Sequence, residues 1–226
     1  MTVTFETAAE LVQKLGNIPL ERICFRPPPG TATERDLLAA MRRSDRVYEL
    51  VDGTLVEKAM GFSESAIAGR VLSDIDVFAR RHDLGVTTGE AGTVRLLKGL
   101  VRIPDVAFFC WDKLPGRLLP SKPVPDLYPD LAVEVLSKTN TPEEMERKLK
   151  EYFLAGVRLV WMIDPRKRIA MVYTAPDAPA ATLHETGALD GGNVLPGFTL
   201  PLAELFAHLP TTSAPKKTRS SRKKQP

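Results

Sequence analysis

Asp130-Leu131-Ala132-Val133-Glu134-Val135-Leu136-Ser137 is the stretch that decides the fold prediction, because it places one glutamate inside an otherwise apolar run. The run is short, rich in Val and Leu, and bounded by proline and polar residues, which is typical of a buried central strand. Side chains alternate along a strand, so Glu134 should share one face with Ala132 and Leu136. An unpaired buried carboxylate costs several kcal/mol or becomes neutral, so we expect Glu134 to meet a cation, a metal ion or the mouth of a cleft.

The segment that follows this strand has the features of a helix start. Thr141 can act as the cap, Pro142 occupies the first helical position, and Glu144 stands where a capping box places its acid. The helix should run to about Leu154, and residues 157–163 form the next apolar strand. Strand, helix and strand make a βαβ unit, whose two strands should be parallel.

Upstream, the sequence predicts a hairpin at residues 47–57 and a long helix at 63–84. These are followed by two short strands at 86–89 and 93–97, a longer strand at 101–109 and a proline-rich surface loop at 113–129. Asp52-Gly53 favours the positive backbone angles of a two-residue hairpin turn. Pro104 lies inside the longer strand and cannot donate a ladder hydrogen bond, so it marks an edge, a bend or a strand start. Asp105 would then sit just where the backbone straightens.

The composition is that of a soluble globular protein, with 43% hydrophobic and 26% charged residues in 226. The apolar runs are too short to cross a bilayer, and the first residues lack the layout of a signal peptide, so we expect a cytoplasmic protein with no membrane partner. Cys24 and Cys110 are far apart and form no metal-binding pair, and the three histidines lack ligand spacing. A disulfide framework and a histidine-based zinc site are therefore not expected.

The basic residues are concentrated at the end of the chain. The formal net charge is +3, and from residue 211 onward the charged residues are all basic: Lys216, Lys217, Arg219, Arg222, Lys223 and Lys224. Subtracting those six charges leaves −3 for the rest, so the basic balance describes a tail rather than a folded surface. We predict an N-terminal helical extension at residues 1–45, a core domain at 46–209 and a disordered basic tail at 210–226.

Asp105 and Glu134 are predicted on neighbouring strand ends, joined by the proline-rich loop. Two carboxylates in such positions can hold a hard divalent cation, which prefers oxygen ligands and usually keeps waters. Such an ion can activate water and neutralise charge on a phosphodiester. From spacing alone, an equally weighted alternative makes Asp105 a turn residue after proline and Glu134 one half of a buried ion pair.

A site that cleaves phosphodiesters also needs a lysine, because an ammonium can position the attacking water and stabilise the oxyanion. Two residues after Glu134 the chain has Leu136. Lys148 lies beside the apolar stripe of the following helix and could reach back toward Glu134. Its alternative partner is Glu144, in an i,i+4 pair worth only about 0.3 to 0.5 kcal/mol. Glu49, on the first hairpin strand, could join the site, although exposed hairpin glutamates are common.

Seven blocks occur in a characteristic order: Tyr48-Glu49-Leu50-Val51-Asp52-Gly53, Ile103-Pro104-Asp105-Val106-Ala107-Phe108, the Asp130 to Ser137 stretch with its preceding Pro129, Lys148-Leu149-Lys150-Glu151-Tyr152, Gly156-Val157, Asp164-Pro165 and Leu195-Pro196-Gly197-Phe198. In these blocks the chain resembles the Uma-two family of restriction-endonuclease-like proteins, within the PD-(D/E)XK superfamily. The resemblance covers roughly residues 46–206.

The resemblance implies an α/β (α+β) fold, with a restriction-endonuclease-like core in which a mixed central β-sheet is flanked by helices. It also implies that Asp105 and Glu134 bind the metal, that Glu49 is the hairpin acid of the family, and that Lys148 supplies the lysine missing at Leu136. Family members often carry a histidine near the start of the long helix, where this chain has Ser63-Glu64-Ser65.

The leading hypothesis is a Mg²⁺- or Mn²⁺-dependent DNA endonuclease, with Asp105 and Glu134 holding the metal, Lys148 stabilising the transition state and Glu49 assisting as ligand or base. The basic tail would add nonspecific phosphate affinity. A homodimer is considered because cutting two strands is easier with two sites. The runner-up is a non-catalytic DNA-binding or interaction protein that retains the fold, which Leu136 favours. A structural domain with a buried acid is favoured if Lys148 does not approach Glu134.

Overall fold

The computed structural model describes residues 3–59 and 61–209. In this part of the chain the α-helices are α1 (Ala8–Lys14), α2 (Glu34–Arg43), α3 (Phe62–Arg81), α4 (Pro142–Ala155) and α5 (Leu202–Leu205). The strands are β1 (Ile23–Cys24), β2 (Tyr48–Val51), β3 (Thr54–Glu57), β4 (Gly85–Thr88), β5 (Val94–Leu97), β6 (Leu100–Arg102), β7 (Val106–Cys110), β8 (Leu131–Val135), β9 (Leu159–Asp164), β10 (Ile169–Tyr173), β11 (Ala181–Leu183), β12 (Ala188–Asp190) and β13 (Thr199–Pro201).

Two sheets form the framework of the described residues. A mixed six-stranded sheet has the order β11-β10-β9-β8-β7-β4, with β8 and β9 parallel and the other neighbours antiparallel. A five-stranded antiparallel sheet has the order β1-β3-β2-β6-β5, and β12 pairs with β13. The helix α4 connects the parallel strands β8 and β9, so the predicted βαβ unit is confirmed. The predicted mixed sheet flanked by helices is also confirmed.

The central strand β8 has a different hydrophobic layer on each face. Leu131, Val133 and Val135 pack in the layer that contains the inner face of α3. Ala132 belongs to the opposite layer, with residues of α1 and α4, and Glu134 contacts α4 on that same side. The alternation predicted from the apolar run is therefore confirmed, and it turns the single acid of the strand toward α4.

Residues 101–109 do not form the continuous strand that the sequence predicts. β6 ends at Arg102 in the five-stranded sheet, and β7 begins at Val106 in the six-stranded sheet. Pro104 lacks an N–H group and interrupts the ladder, so the chain bends there and passes from one sheet to the other. Of the outcomes predicted for Pro104, the bend is the one found, and it places Asp105 at the junction of the two sheets.

The structure contains the predicted hairpin turn and the predicted cap of α4, but only half of the predicted capping box. Asp52 and Gly53 have φ values of 48° and 64°, as the predicted hairpin turn requires. The Thr141 side chain caps α4 by accepting the Glu144 backbone N–H at 3.1 Å. The other half of the predicted capping box is wrong, because the Glu144 carboxylate accepts hydrogen bonds from Arg22 and Asn140. A buried guanidinium is a stronger partner for that carboxylate than one backbone N–H.

The N-terminal residues pack directly on α4. Leu11 and Leu15 share a hydrophobic layer with Met145 and Leu149. Gly16 has a φ of +86°, and a Cβ there would lie 2.6 Å from the Glu144 backbone, so the close approach requires glycine. The short strand β1, which was not predicted, adds this segment to the edge of the five-stranded sheet. Among residues 3–59 and 61–209, the length and apolar content needed to span a membrane occur in none of the helices.

Candidate active site

Asp105 and Glu134 lie close together where β7 meets β8. Asp105 directly precedes β7, and Glu134 directly follows Val133, the β8 partner of Val106. The Asp105 backbone N–H donates to the Val133 carbonyl at 3.0 Å, and the Val135 backbone N–H donates to Asp105 Oδ2 at 2.6 Å. The charge of Asp105 also raises the pKa of the Glu134 carboxyl, so the two acids occupy one small region.

Lys148 reaches these acids from α4. Its Nζ lies 3.2 Å from Glu134 Oε2 and 3.3 Å from Glu49 Oε1. The three residues are almost completely buried, with exposed fractions of 2% for Lys148, 4% for Glu134 and 0% for Glu49. The i,i+4 neighbour Glu144 binds Arg22 at 2.7 and 2.9 Å. The structure thus brings Lys148 together with both glutamates that the sequence selected.

Glu49 enters the site from the five-stranded sheet, on β2. Its Oε2 accepts a hydrogen bond from Arg102 at 2.7 Å, and its Oε1 accepts the Ile103 backbone N–H at 3.1 Å. Arg102 also donates to Glu151 of α4 at 2.8 Å. Arg102 was not predicted as a site residue. It is nevertheless a charged residue inside an apolar strand, just before Pro104, and the same kind of pattern led to the prediction of Glu134.

Two further residues complete the cluster and were missed in the sequence. The Tyr152 hydroxyl donates to Glu134 Oε1 at 2.5 Å, and Lys58 Nζ lies 2.8 Å from Asp105 Oδ1. Tyr152 lies four residues after Lys148, so their shared helix face was the available signal. The spacing of Lys58, which directly follows β3, gave no signal.

The electrostatic environment moves the pKa values of the two glutamates in opposite directions. Burial alone would raise the pKa of Glu49, but Lys148 and Arg102 outweigh burial and hold that pKa well below its ordinary value. Burial raises the pKa of Glu134, and the nearby Asp105 adds to this against the opposing charge of Lys148. An additional cation beside Glu134 would favour its ionised form.

Lys148 and Tyr152 both keep their protons. Burial lowers the pKa of the Lys148 ammonium, but Glu134 and Glu49 reverse this effect and raise the pKa above its ordinary value. Burial and the nearby Glu134 carboxylate raise the pKa of the Tyr152 hydroxyl well above its ordinary value. The site thus contains a permanent ammonium and a permanent hydroxyl donor, both directed at Glu134.

The family model described as "Uma2: Putative restriction endonuclease" matches residues 35–203. The chain belongs to the Uma2 family. The matched region includes Glu49, Asp105, Glu134 and Lys148, which confirms the family resemblance carried by the sequence blocks. No curated protein matches the chain.

Among solved structures, this Uma2 chain is similar to one described as a putative nuclease belonging to DUF820 from Anabaena variabilis. The TM-score is 0.63 at 18% sequence identity, and the similarity covers 73% of this chain and 92% of that chain. Identity at this level shows a shared fold. The predicted restriction-endonuclease-like fold class is therefore confirmed.

The donor set of the Uma2 site is small for a metal held by protein ligands alone. Within residues 3–59 and 61–209, His, Cys, Asp and Glu side chains form no group of three or more arranged to hold a metal ion. Mg²⁺ needs fewer, since it is usually bound through one or two carboxylates, several waters and substrate phosphates. Asp105 and Glu134 provide the two carboxylates that this mode needs, and in this structure each acid has a lysine ammonium group as its partner.

A cavity of about 440 Å³ adjoins the end of β8 in this Uma2 structure. Its wall includes Leu136, two residues beyond Glu134, and Leu149, next to Lys148 on α4. Arg166 and Lys167 also line it. The six basic residues after residue 210, which were predicted to contact nucleic acid, lie outside the described residues.

Proposed function

We propose that this Uma2 protein is a metal-dependent DNA endonuclease that hydrolyses phosphodiester bonds. The observation that carries the proposal is the buried Asp105 and Glu134 pair, with the Lys148 ammonium 3.2 Å from Glu134. Glu134 is a buried acid with a raised pKa and a specific charged partner, and such acids are concentrated at functional sites. DNA is the proposed substrate because the family is described as restriction endonucleases.

In this proposal Asp105 and Glu134 hold Mg²⁺ or Mn²⁺. When bound, the ion supplies a water of lowered pKa and neutralises charge on the phosphate. The protein holds both carboxylates in place beforehand, because Val135 donates to Asp105 Oδ2 and Tyr152 donates to Glu134 Oε1. Little reorganisation of these two acids is then needed when a cation arrives.

Lys148 is the proposed electrophilic group. It remains a charged ammonium, and such a group stabilises the oxyanion that develops at phosphorus in the transition state. Glu49 was expected to act as ligand or base, and its contacts support a positioning role toward Lys148 and Arg102. Its lowered pKa makes it a weak acceptor of a proton from water.

A non-catalytic DNA-binding or interaction protein is the second candidate. Leu136 stands where the resemblance to the superfamily implies a lysine. In addition, Lys58, Arg102 and Lys148 already compensate the acids of the cluster. The charge balance of the site is therefore nearly complete without a metal, which is the specific observation that favours this candidate.

The deciding experiment incubates purified protein with supercoiled and linear DNA in Mg²⁺ or Mn²⁺. We expect Asp105→Asn and Glu134→Gln to reduce cleavage at least about 100-fold, because removing groups that only hydrogen-bond to metal ligands already costs about 10- to 100-fold. Asp112→Asn, at an exposed acid outside the cluster, is the matched control and should retain activity. A wild type that binds metal and DNA but cleaves no faster than Glu134→Gln would establish the second candidate.

A further inference from the structure

Lys58 is a charged residue of the site to which the proposed reaction assigns no role. It directly follows β3 and is 7% exposed. Its Nζ lies 2.8 Å from Asp105 Oδ1 and donates to the Ile103 carbonyl at 2.6 Å. This ammonium therefore already binds Asp105, one of the two carboxylates that we propose as ligands of a divalent cation.

The ammonium groups of the two lysines in the site have different partners. Lys148 contacts both oxygens of Glu134 and one oxygen of Glu49. Lys58 contacts one carboxylate oxygen and one carbonyl oxygen. Removing the Asp105 carboxylate would leave Lys148 bound to its two acids, whereas Lys58 would keep only the Ile103 carbonyl.

The orientation of Asp105 makes Lys58 and a cation compete for one atom. The backbone N–H of Val135 holds Oδ2 at 2.6 Å, and this bond fixes the rotation of the carboxylate. Oδ1 is thereby directed at Lys58. A cation held by Asp105 and Glu134 would lie close to this ammonium, and like charges repel strongly where water is largely excluded.

We propose that Lys58 is the internal counter-ion of the cation site. Without a divalent cation, its ammonium neutralises Asp105, and a divalent cation binds in exchange for this contact. The inference rests on the proposed metal site and makes Lys58 a positioning residue that sets how strongly the cation binds. Removal of Lys58 should leave the buried Asp105 carboxylate without a positive partner, so the site should bind a cation more tightly.

Calorimetric titration of the full chain with Mn²⁺ alone tests this inference without any measurement of cleavage. Because one repelling unit charge is removed next to the ion, we expect Lys58→Met to bind Mn²⁺ at least about tenfold more tightly than the wild type. Lys58→Arg, which keeps the charge, should stay within about threefold of the wild type. Lys58→Met combined with Asp105→Asn should not bind.

Lys113→Met is the matched control, since it removes another lysine paired with a buried aspartate, Asp130, at 3.2 Å. It should leave Mn²⁺ affinity unchanged. Thermal unfolding supplies a second measurement: Lys58→Met should have a lower Tm than the wild type without metal and a larger increase in Tm with Mn²⁺. Lys58→Gln replaces Lys58→Met if the latter does not fold.

Unchanged or weaker Mn²⁺ binding by Lys58→Met and Lys58→Gln would overturn the inference, even if the wild type cleaves DNA. No Mn²⁺ binding by any variant would overturn both this inference and the metal-dependent function. Tight binding by Lys58→Met, beside a wild type that neither binds Mn²⁺ nor cleaves DNA, would support the counter-ion role and count against the endonuclease.

Discussion

Glu134 lies between the six-stranded sheet and α4, where three different groups compensate or oppose its charge. Lys148 and Tyr152 bind its oxygens, and Asp105 lies nearby, directly before the neighbouring strand β7. Burial and Asp105 together raise the pKa of this carboxyl in spite of the lysine. A change in any one partner should therefore alter both the stability of the fold and the affinity of the site for cations.

Tyr152→Phe tests this coupling, because it removes one hydroxyl from a fully buried ring and keeps its shape. Loss of the donor leaves an acceptor of Glu134 unsatisfied, so we expect the free energy of unfolding to fall by about 1 to 3 kcal/mol. We also expect weaker Mn²⁺ binding, because Oε1 of Glu134 would keep only Lys148 of its two partners. Urea denaturation and calorimetry measure the two effects.

Tyr173→Phe is the control for that substitution. The Tyr173 hydroxyl contacts only the soft sulfur of Met171, at 3.6 Å, among the described residues. Its removal should change neither stability nor Mn²⁺ affinity appreciably. Equal stabilities of Tyr152→Phe and the wild type would show that the hydrogen bond to Glu134 contributes nothing to the fold.

At the scale of elements, one ion pair joins the N-terminal segment to the start of α4. Arg22 and Glu144 are both buried and form two hydrogen bonds of 2.7 and 2.9 Å. Arg22 also donates to the Glu57 carbonyl at the end of β3, at 2.9 Å. The pair thus connects β3 and α4, the two elements that lead to Lys58 and Lys148.

The pH dependence of the free energy of unfolding should reveal the contribution of this ion pair. Burial would raise the pKa of Glu144, but Arg22 and its other partners hold that pKa below the ordinary 4.5. A depressed folded-state pKa contributes stability that is fully present above pH 4.5 and is lost as the pH falls through the folded-state value. Glu144→Gln should cost about 1.5 to 3 kcal/mol at pH 7, and the difference from the wild type should shrink below pH 4.5.

Denaturation curves between pH 3 and pH 7 check this expectation, with Glu146→Gln as the control. Glu146 pairs with Lys150 on the exposed side of the same helix, so its substitution should have little effect. A stability difference for Glu144→Gln that stays constant across the pH range would mean that the charge of Glu144 does not stabilise the fold.

At the scale of the whole molecule, the site exists because two sheets meet at residues 103–105. Glu49 and Arg102 come from the five-stranded sheet, Glu134 from the six-stranded sheet, and Lys148 from α4. The basic tail is a separate feature of the chain, with no acid to compensate its six positive charges. Binding of DNA and integrity of the fold should therefore be separable.

Truncation after Pro210 should weaken DNA binding at low salt and leave the unfolding transition unchanged. For each phosphate that the shortened chain no longer neutralises, the slope of log K against log salt should fall by about 0.9, because fewer counterions are released. Binding measured by anisotropy over a range of salt concentrations gives the slope. A full-length chain with the six basic residues changed to Gln is the matched control, and unfolding of the truncated chain would refute the separation.

Local patterns in the sequence determined much of this protein. The hairpin turn at Asp52-Gly53, the cap at Thr141 and the alternation around Glu134 each depend on neighbouring residues, and the structure contains all three. The same local signals selected Asp105 and Glu134, because an acid in an apolar strand or beside a strand-breaking proline needs a compensating partner.

Only the tertiary structure decided which partners these acids have. Lys58 and Ile103 are separated by 45 positions in the chain, and Arg22 and Glu144 by 122. Such pairs form when two sheets and α4 pack together, and no periodic pattern encodes them. The split of residues 101–109 between two sheets arises in the same way, since Pro104 permits a bend but the packing of the sheets sets its direction. A buried charged group pairs with whichever partners lie within hydrogen-bonding distance, and tertiary packing determines which groups come that close.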